Sequence, residues 1–160
     1  MADNQLIADV FRQIADLMEF KDDNPFKVRS YRTAADTIED YPQQMADIVR
    51  KEGVSGLQEI PAIGKAISAK IVEIINTGTC ETFEILKKEV PVTVLDLMRI
   101  RGIGHKTARL LYDDFGISNL RDFENFAEGG GLRFVRGISE ERVPEILDSV
   151  KRVRHELLRR

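Results

Sequence analysis

The feature that most constrains this chain is a glycine-centred segment that occurs twice. Ile60-Pro61-Ala62-Ile63-Gly64-Lys65-Ala66-Ile67-Ser68-Ala69-Lys70-Ile71 aligns with Ile100-Arg101-Gly102-Ile103-Gly104-His105-Lys106-Thr107-Ala108-Arg109-Leu110-Leu111, so that Gly64 and Gly104 stand 40 residues apart. A weaker third copy runs from Val135-Arg136-Gly137-Ile138-Ser139, with serine in place of the second glycine, through Glu140, Glu141 and Arg142 to Ile146-Leu147. A repeat at this period indicates one supersecondary unit used several times. The pattern reads as a short helix, a tight turn and a second helix that starts directly after Gly64 or Gly104. Ile63 or Ile103 is expected to tuck between the two helices. A small residue, Ala69 or Ala108, is expected to let them pack closely.

Helical periodicity dominates the remainder. Leu6, Ile7, Val10, Phe11, Ile14, Leu17 and Met18 follow the spacing of one buried face, which predicts a helix over about 4–20. Asn24-Pro25 breaks it. Val28, Tyr31, Ala35 and Ile38 mark a second helix that ends before Pro42, and Met45, Ile48 and Val49 a third closed by Gly53. Glu140–Arg160 reads as the last, with Val143, Ile146, Leu147, Val150, Val153 and Leu157 on its apolar face and Lys151, Arg152, Arg154, Arg159 and Arg160 on its basic one. No segment alternates with period two, so the expected fold is all-α, in two small helical subdomains over 1–88 and 89–160. Gly129-Gly130-Gly131 reads as a flexible joint before the third copy.

Composition narrows the function. With 42% hydrophobic and 32% charged residues the chain is a globular, helix-rich protein. Nothing approaches the ~20 apolar residues of a membrane span, and the first residues lack a secretory signal. The expected location is therefore the cytoplasm, associated with the nucleoid if the partner is DNA. One cysteine, Cys80, gives no internal disulfide, and two histidines with no Cys/His cluster give no zinc site. A net charge of −3 argues against a nucleic-acid partner until it is read locally. Lys27, Arg29 and Arg32 stand without an acid among them, as do Arg99, Arg101, His105, Lys106 and Arg109. Acids concentrate instead in the first 25 residues, where they leave a protein-docking surface open as a reading.

The repeated turn carries its own chemistry. The first amides of the helix that follows it have no intrahelical partner, and a helix start carries partial positive charge suited to a phosphate oxygen. Such a device holds the DNA backbone without reading bases. On this reading the contacts involve Ile60, Ala62, Ile63, Gly64 and Lys65 in the first copy and Gly102, Ile103, Gly104, His105, Lys106, Thr107 and Arg109 in the second. The second is the better formed, and the third is expected to be scaffold. His105 and Tyr31 are equally readable as surface and packing residues, while Phe123, Phe126 and Phe134 are expected in the core rather than as base-stacking groups. Asp113-Asp114 reads as solvated surface.

The two copies look like helix-hairpin-helix motifs. With Asn24-Pro25-Phe26-Lys27-Val28-Arg29-Ser30-Tyr31-Arg32 upstream, nearly the whole chain resembles the N-terminal region of family X DNA polymerases, especially the bacterial ones. The resemblance implies a lyase-type domain followed by a fingers (or thumb) subdomain. The family's palm, with its paired metal-binding aspartates, and the phosphoesterase domain of bacterial members would follow residue 160. No required cofactor is implied. Backbone carbonyls of Gln58, Ile60 and Ile63, and of Met98, Ile100 and Ile103, would hold Na+ or K+ when DNA is bound. Expected partners are gapped, nicked or 5′-phosphorylated DNA and a separate polymerase or repair protein, with the chain itself a monomer. Lys27 and Tyr31 fall near the family's 5′-phosphate pocket, and Arg29 beside them is a further expected DNA contact. Lys70 matches the lysine that forms a Schiff base with an abasic sugar in lyase-active relatives, chemistry that needs a neutral amine. Two departures, Ala66 where a second pocket lysine is found and Ala62 for the first hairpin glycine, favour Lys70 as a phosphate-contacting or solvated lysine.

Overall fold

A computed structural model describes residues 2–159 and contains ten α-helices and no strand among them. Arg160, counted above in the basic tail, lies outside the described residues. The chain divides into two compact units, Met1–Glu89 and Val90–Arg160.

In the first unit, α1 (Asn4–Phe20) is started by Asp3, whose carboxylate accepts the Leu6 amide at 2.9 Å. Asn24 caps α2 (Pro25–Glu39) in the same way, and Pro25, which ends the first periodic run, is pre-set for the first turn of the second. The two helices pack face to face through Ile7, Phe11, Ile14, Ala34, Ala35 and Ile38, all fully buried. Their rims are joined by Arg12 to Asp36 and Glu39, and by Arg32 to Asp16 and Glu19. Buried Asn4 ties the start of α1 to the segment ahead of α3 (Met45–Glu52). It donates to the Gln43 carbonyl at 2.9 Å and accepts the Met45 amide at 2.8 Å. Then come α4 (Val54–Gln58), α5 (Lys65–Thr77) and α6 (Glu81–Glu89). Helix α6 returns to α1, where Glu89 pairs with Lys21.

The second unit holds α7 (Val94–Leu97), α8 (His105–Phe115), α9 (Leu120–Glu128) and α10 (Val143–Leu158) around Leu97, Leu111, Phe123, Leu132 and Val150. The last helix begins later than its periodicity suggests, because Glu140–Arg142 forms a separate 3-10 turn ahead of Val143-Pro144. The glycines at 129–131 are not an open joint. Gly130 takes φ +84°, and Gly131 is buried so closely under the Phe126 ring that a Cβ there would lie 2.4 Å from it.

Candidate nucleic-acid interface

The repeated segments fold into near-identical turns. In the first, the Ile60 amide donates to the Leu57 carbonyl and the Ile63 amide to the Ile60 carbonyl, both at 3.0 Å. Helix α5 then begins with the Ser68 amide donating to the Gly64 carbonyl at 2.9 Å. In the second, Ile100 donates to Leu97 at 3.1 Å, Ile103 to Ile100 at 3.0 Å, and Ala108 to Gly104 at 2.9 Å. The residue between the isoleucines turns left-handed each time: Ala62 at φ +74°, Gly102 at φ +93° and, in the third copy, Gly137 at φ +93°. Alanine thus does in the first turn what glycine does in the others, in a backbone region that disfavours a Cβ. Ile60, Ile63, Ile100 and Ile103 are buried, so these four offer a ligand backbone only. The small residue under each turn is Ser68 or Ala108, both fully buried. Ala69 is exposed, which corrects its expected packing role. Ser68 satisfies its hydroxyl by donating to the Lys65 carbonyl at 2.8 Å and accepting from the Gln58 amide at 3.2 Å.

The second glycine of each turn has a different reason to be there. Gly64 (φ −89°, ψ −171°) and Gly104 (φ −86°, ψ −177°) are extended, a conformation open to any residue. A Cβ at either would meet nothing within 4 Å. Neither fold nor packing requires glycine, yet both positions are exposed and leave the starts of α5 and α8 without a side-chain cap. Two long helices therefore present uncapped N-terminal amides at the protein surface.

The charge around the second hairpin differs from its sequence reading. Arg99 pairs with Glu156, Arg101 with Glu145 and Arg109 with Asp113, so the acid-free run at 99–109 meets acids brought from elsewhere. Lys65, Lys106, Arg133, Arg136 and Arg142 carry no ion pair among the described residues, and all five are exposed. Two of them, Arg136 and Arg142, belong to the third copy and Arg133 leads into it; this part of the chain also braces the second hairpin. Ser149 of α10 accepts the Arg101 amide at 2.8 Å, and the Arg142 guanidinium lies 2.6 Å from where a Cβ on Gly102 would sit. Thr107 and His105, in the first turn of α8, are half-buried.

The α2 candidates separate. Lys27 and Arg29 are exposed, with the Arg29 guanidinium 5.6 Å from the centre of the Phe26 ring. Tyr31 is only 7% exposed and stands edge-on to Phe11, their centroids 5.6 Å apart. As a DNA-contacting ring it is corrected to a packing residue. Burial pushes its phenol above the usual range, with nearby Cys80 adding to the shift and a hydrogen bond from Thr82 opposing it. Burial likewise raises the Cys80 thiol, opposed by the Phe83 amide and by the Lys70 ammonium. Lys70 itself is half-buried. Two aromatics that the sequence reading missed or misplaced are at the surface. Phe26 is 72% exposed, and Phe134, expected in the core, is 66% exposed. Among the described residues no cluster of His, Cys, Asp and Glu could hold a metal. Carbonyls remain: those of Ile60 and Ile100 each accept one turn amide and keep a second lone pair, and Gln58 and Met98 sit where helix carbonyls run out of donors.

Comparison with known proteins agrees with this geometry. Residues 2–80 match the family model described as "Helix-hairpin-helix domain", and residues 94–152 that described as "SAM-like Helix-hairpin-helix tandem". The DNA polymerase/3'-5' exonuclease PolX of Bacillus subtilis (strain 168) is 31% identical over 137 residues, 86% of this chain and 23% of that protein. DNA polymerase lambda of Arabidopsis thaliana is 31% identical over 139 residues, 81% of this chain and 25% of that protein. The chain thus spans about a quarter of the length of these curated relatives. With three repeated turns of one geometry and these similarities along most of its length, the chain carries helix-hairpin-helix domains in tandem and is homologous to part of the family X DNA polymerases.

Proposed function

We infer that this chain binds DNA through backbone phosphates, without regard to base sequence, at gaps, nicks or 5′-phosphorylated ends met in DNA repair. The observation that carries the reading is the pair of exposed, uncapped glycines Gly64 and Gly104, which no internal requirement explains. A backbone phosphate accounts for both: it supplies an acceptor at helix starts that no side chain caps and needs the space a side chain would fill. Exposed Lys65 and Lys106 follow each glycine within two residues. Na+ or K+ held by the turn carbonyls would bridge the same phosphates, with no step of the reading depending on it. A titration against gapped DNA, with and without a 5′-phosphate and at several salt concentrations, tests it. If the two hairpins neutralise roughly four phosphates, the log–log salt slope is about −3 to −4, and scrambling the sequence leaves affinity unchanged. A flat salt response overturns the reading.

A second reading, a 5′-deoxyribose-phosphate lyase, rests on half-buried Lys70, which stands at the position of the family's Schiff-base lysine. Borohydride reduction on 5′-incised abasic DNA would then trap a covalent adduct that Lys70→Ala abolishes. Absence of any adduct leaves the binding function alone.

A further inference from the structure

The segment leading into the third copy presents a surface that bracing of the second does not use. Phe134 ends the 3-10 turn Gly131–Phe134, between buried Leu132 and buried Val135. The segment's other apolar side chains point inward, while Phe134 is turned out at 66% exposure. The Arg133 guanidinium lies over its ring, 4.9 Å from the centroid. Arg136, two residues on, is exposed and, like Arg133, carries no ion pair among the described residues. An exposed aromatic ringed by apolar neighbours suits another protein. One flanked by unpaired guanidinium groups suits a ligand with a flat π-face and a negative charge beside it. An unpaired nucleotide has both.

Building on the DNA-binding reading above, we propose that Phe134 and Arg133 form a stacking platform for an unpaired base, with Arg136 on the adjoining phosphate. The second unit then holds single-stranded nucleotides where its third copy begins and helical backbone at its second. This contact requires a strand whose bases are free, so it adds a preference for gapped or single-stranded DNA that backbone gripping alone does not supply.

The chain contains no tryptophan, so F134W gives the full-length protein one indole at the platform. Its emission is expected to be quenched by a single-stranded oligonucleotide and by gapped DNA, and left unchanged by blunt duplex. At a stacking worth of 1–3 kcal/mol per base, Phe134→Ala weakens single-strand binding about five- to 150-fold, F134L does the same, and duplex affinity is kept. Because the side chain is exposed, these variants retain the fold, which circular dichroism checks. An F134W indole that single strand does not quench, an F134L that binds like the parent, or a Phe134→Ala that loses duplex as much as single strand each overturns the platform. If the parent protein binds no DNA at low salt, the DNA-binding reading fails and the platform with it. Salt-sensitive duplex binding with an indifferent Phe134→Ala refutes the platform only.

Discussion

Substituting Gly104 by aspartate separates what the protein needs for folding from what it needs for its ligand. The backbone there is extended, and a Cβ would meet nothing within 4 Å, so the fold accepts the side chain without strain. The new carboxylate caps α8 and favours its dipole, worth a few tenths of a kcal/mol over glycine. Replacing glycine also removes unfolded-state freedom, worth about 0.4–1 kcal/mol. The variant is therefore expected to be more stable than the parent by roughly 0.6–1.4 kcal/mol, read as a higher urea midpoint with unchanged slope. Affinity should move the other way. A carboxylate about 4 Å from a bound phosphate is repelled by ~1 kcal/mol in bulk water and ~4 kcal/mol near a protein surface, so a tenfold or larger loss is expected in fluorescence anisotropy at low salt. Gly64→Asp should repeat the pattern at α5, with a smaller loss if the second hairpin dominates the grip. A G104D protein that is stabilised and binds DNA like the parent would refute the argument that the bare glycine exists for a phosphate.

The left-handed turns make a reciprocal pair. Gly102→Ala at φ +93° places a Cβ in the disfavoured region and displaces the Arg142 guanidinium, for a net loss of about 1 kcal/mol. Ala62→Gly at φ +74° relieves the same strain and should be neutral to stabilising by about 0.5 kcal/mol. Both are read by urea denaturation, and a destabilised A62G would sink the account. Alkaline pH should weaken the first unit. Tyr31 and Cys80 titrate above their ordinary values of 10.0 and 9.0 because burial disfavours their charged forms, so the unfolded chain loses these protons first. The stabilisation is fully present below about pH 9 and declines as pH rises through the two folded values. Thermal melts between pH 8 and 11 should show the decline, and Cys80→Ala should make it shallower.

The parts of the fold legible in sequence are those set by local rules. The helix over α1 was readable because six of its seven periodic apolar residues share one buried face, Leu6 at its edge being exposed, and the turns because glycine recurs at a fixed offset. Ala62 shows how the repeat carries more than any single residue. Alanine has no preference for a positive φ, and only alignment with Gly102 points to one. The same alignment pairs Ser68 with Ala108. Looking for the nearest alanine selects Ala69 instead, one residue round the helix and exposed. What local rules miss is contact between distant segments. Arg99 and Glu156, 57 residues apart, and Arg101 and Ser149, 48 apart, meet only once the second unit has folded. Phe134 looks like core by composition. Its burial depends on which of Leu132, Phe134 and Val135 the 3-10 turn points inward, and the turn selects the other two.

The same long-range pairing explains how a chain of net charge −3 can present a surface suited to DNA. Acids of α1 are not an idle docking face throughout: Asp16 and Glu19 meet Arg32, while Asp36 and Glu39 of α2 meet Arg12, so part of the acidic excess holds the first two helices together. Arg32, which in sequence looks like part of a basic patch with Lys27 and Arg29, is taken up in that bracing. In the second unit Arg99, Arg101 and Arg109 are similarly paired, through exposed bridges of the kind worth less than about 1 kcal/mol. Such bridges hold a guanidinium near its hairpin and give it up readily to a phosphate. Among the cations with no ion pair in the described residues, Lys65, Lys106, Arg133 and Arg136 lie in or beside the repeated turns. Field at the binding surface is set by which charges remain uncompensated there, not by their sum over the chain. In this protein the uncompensated ones extend to the third copy, the part its sequence marks as least conforming to the repeat.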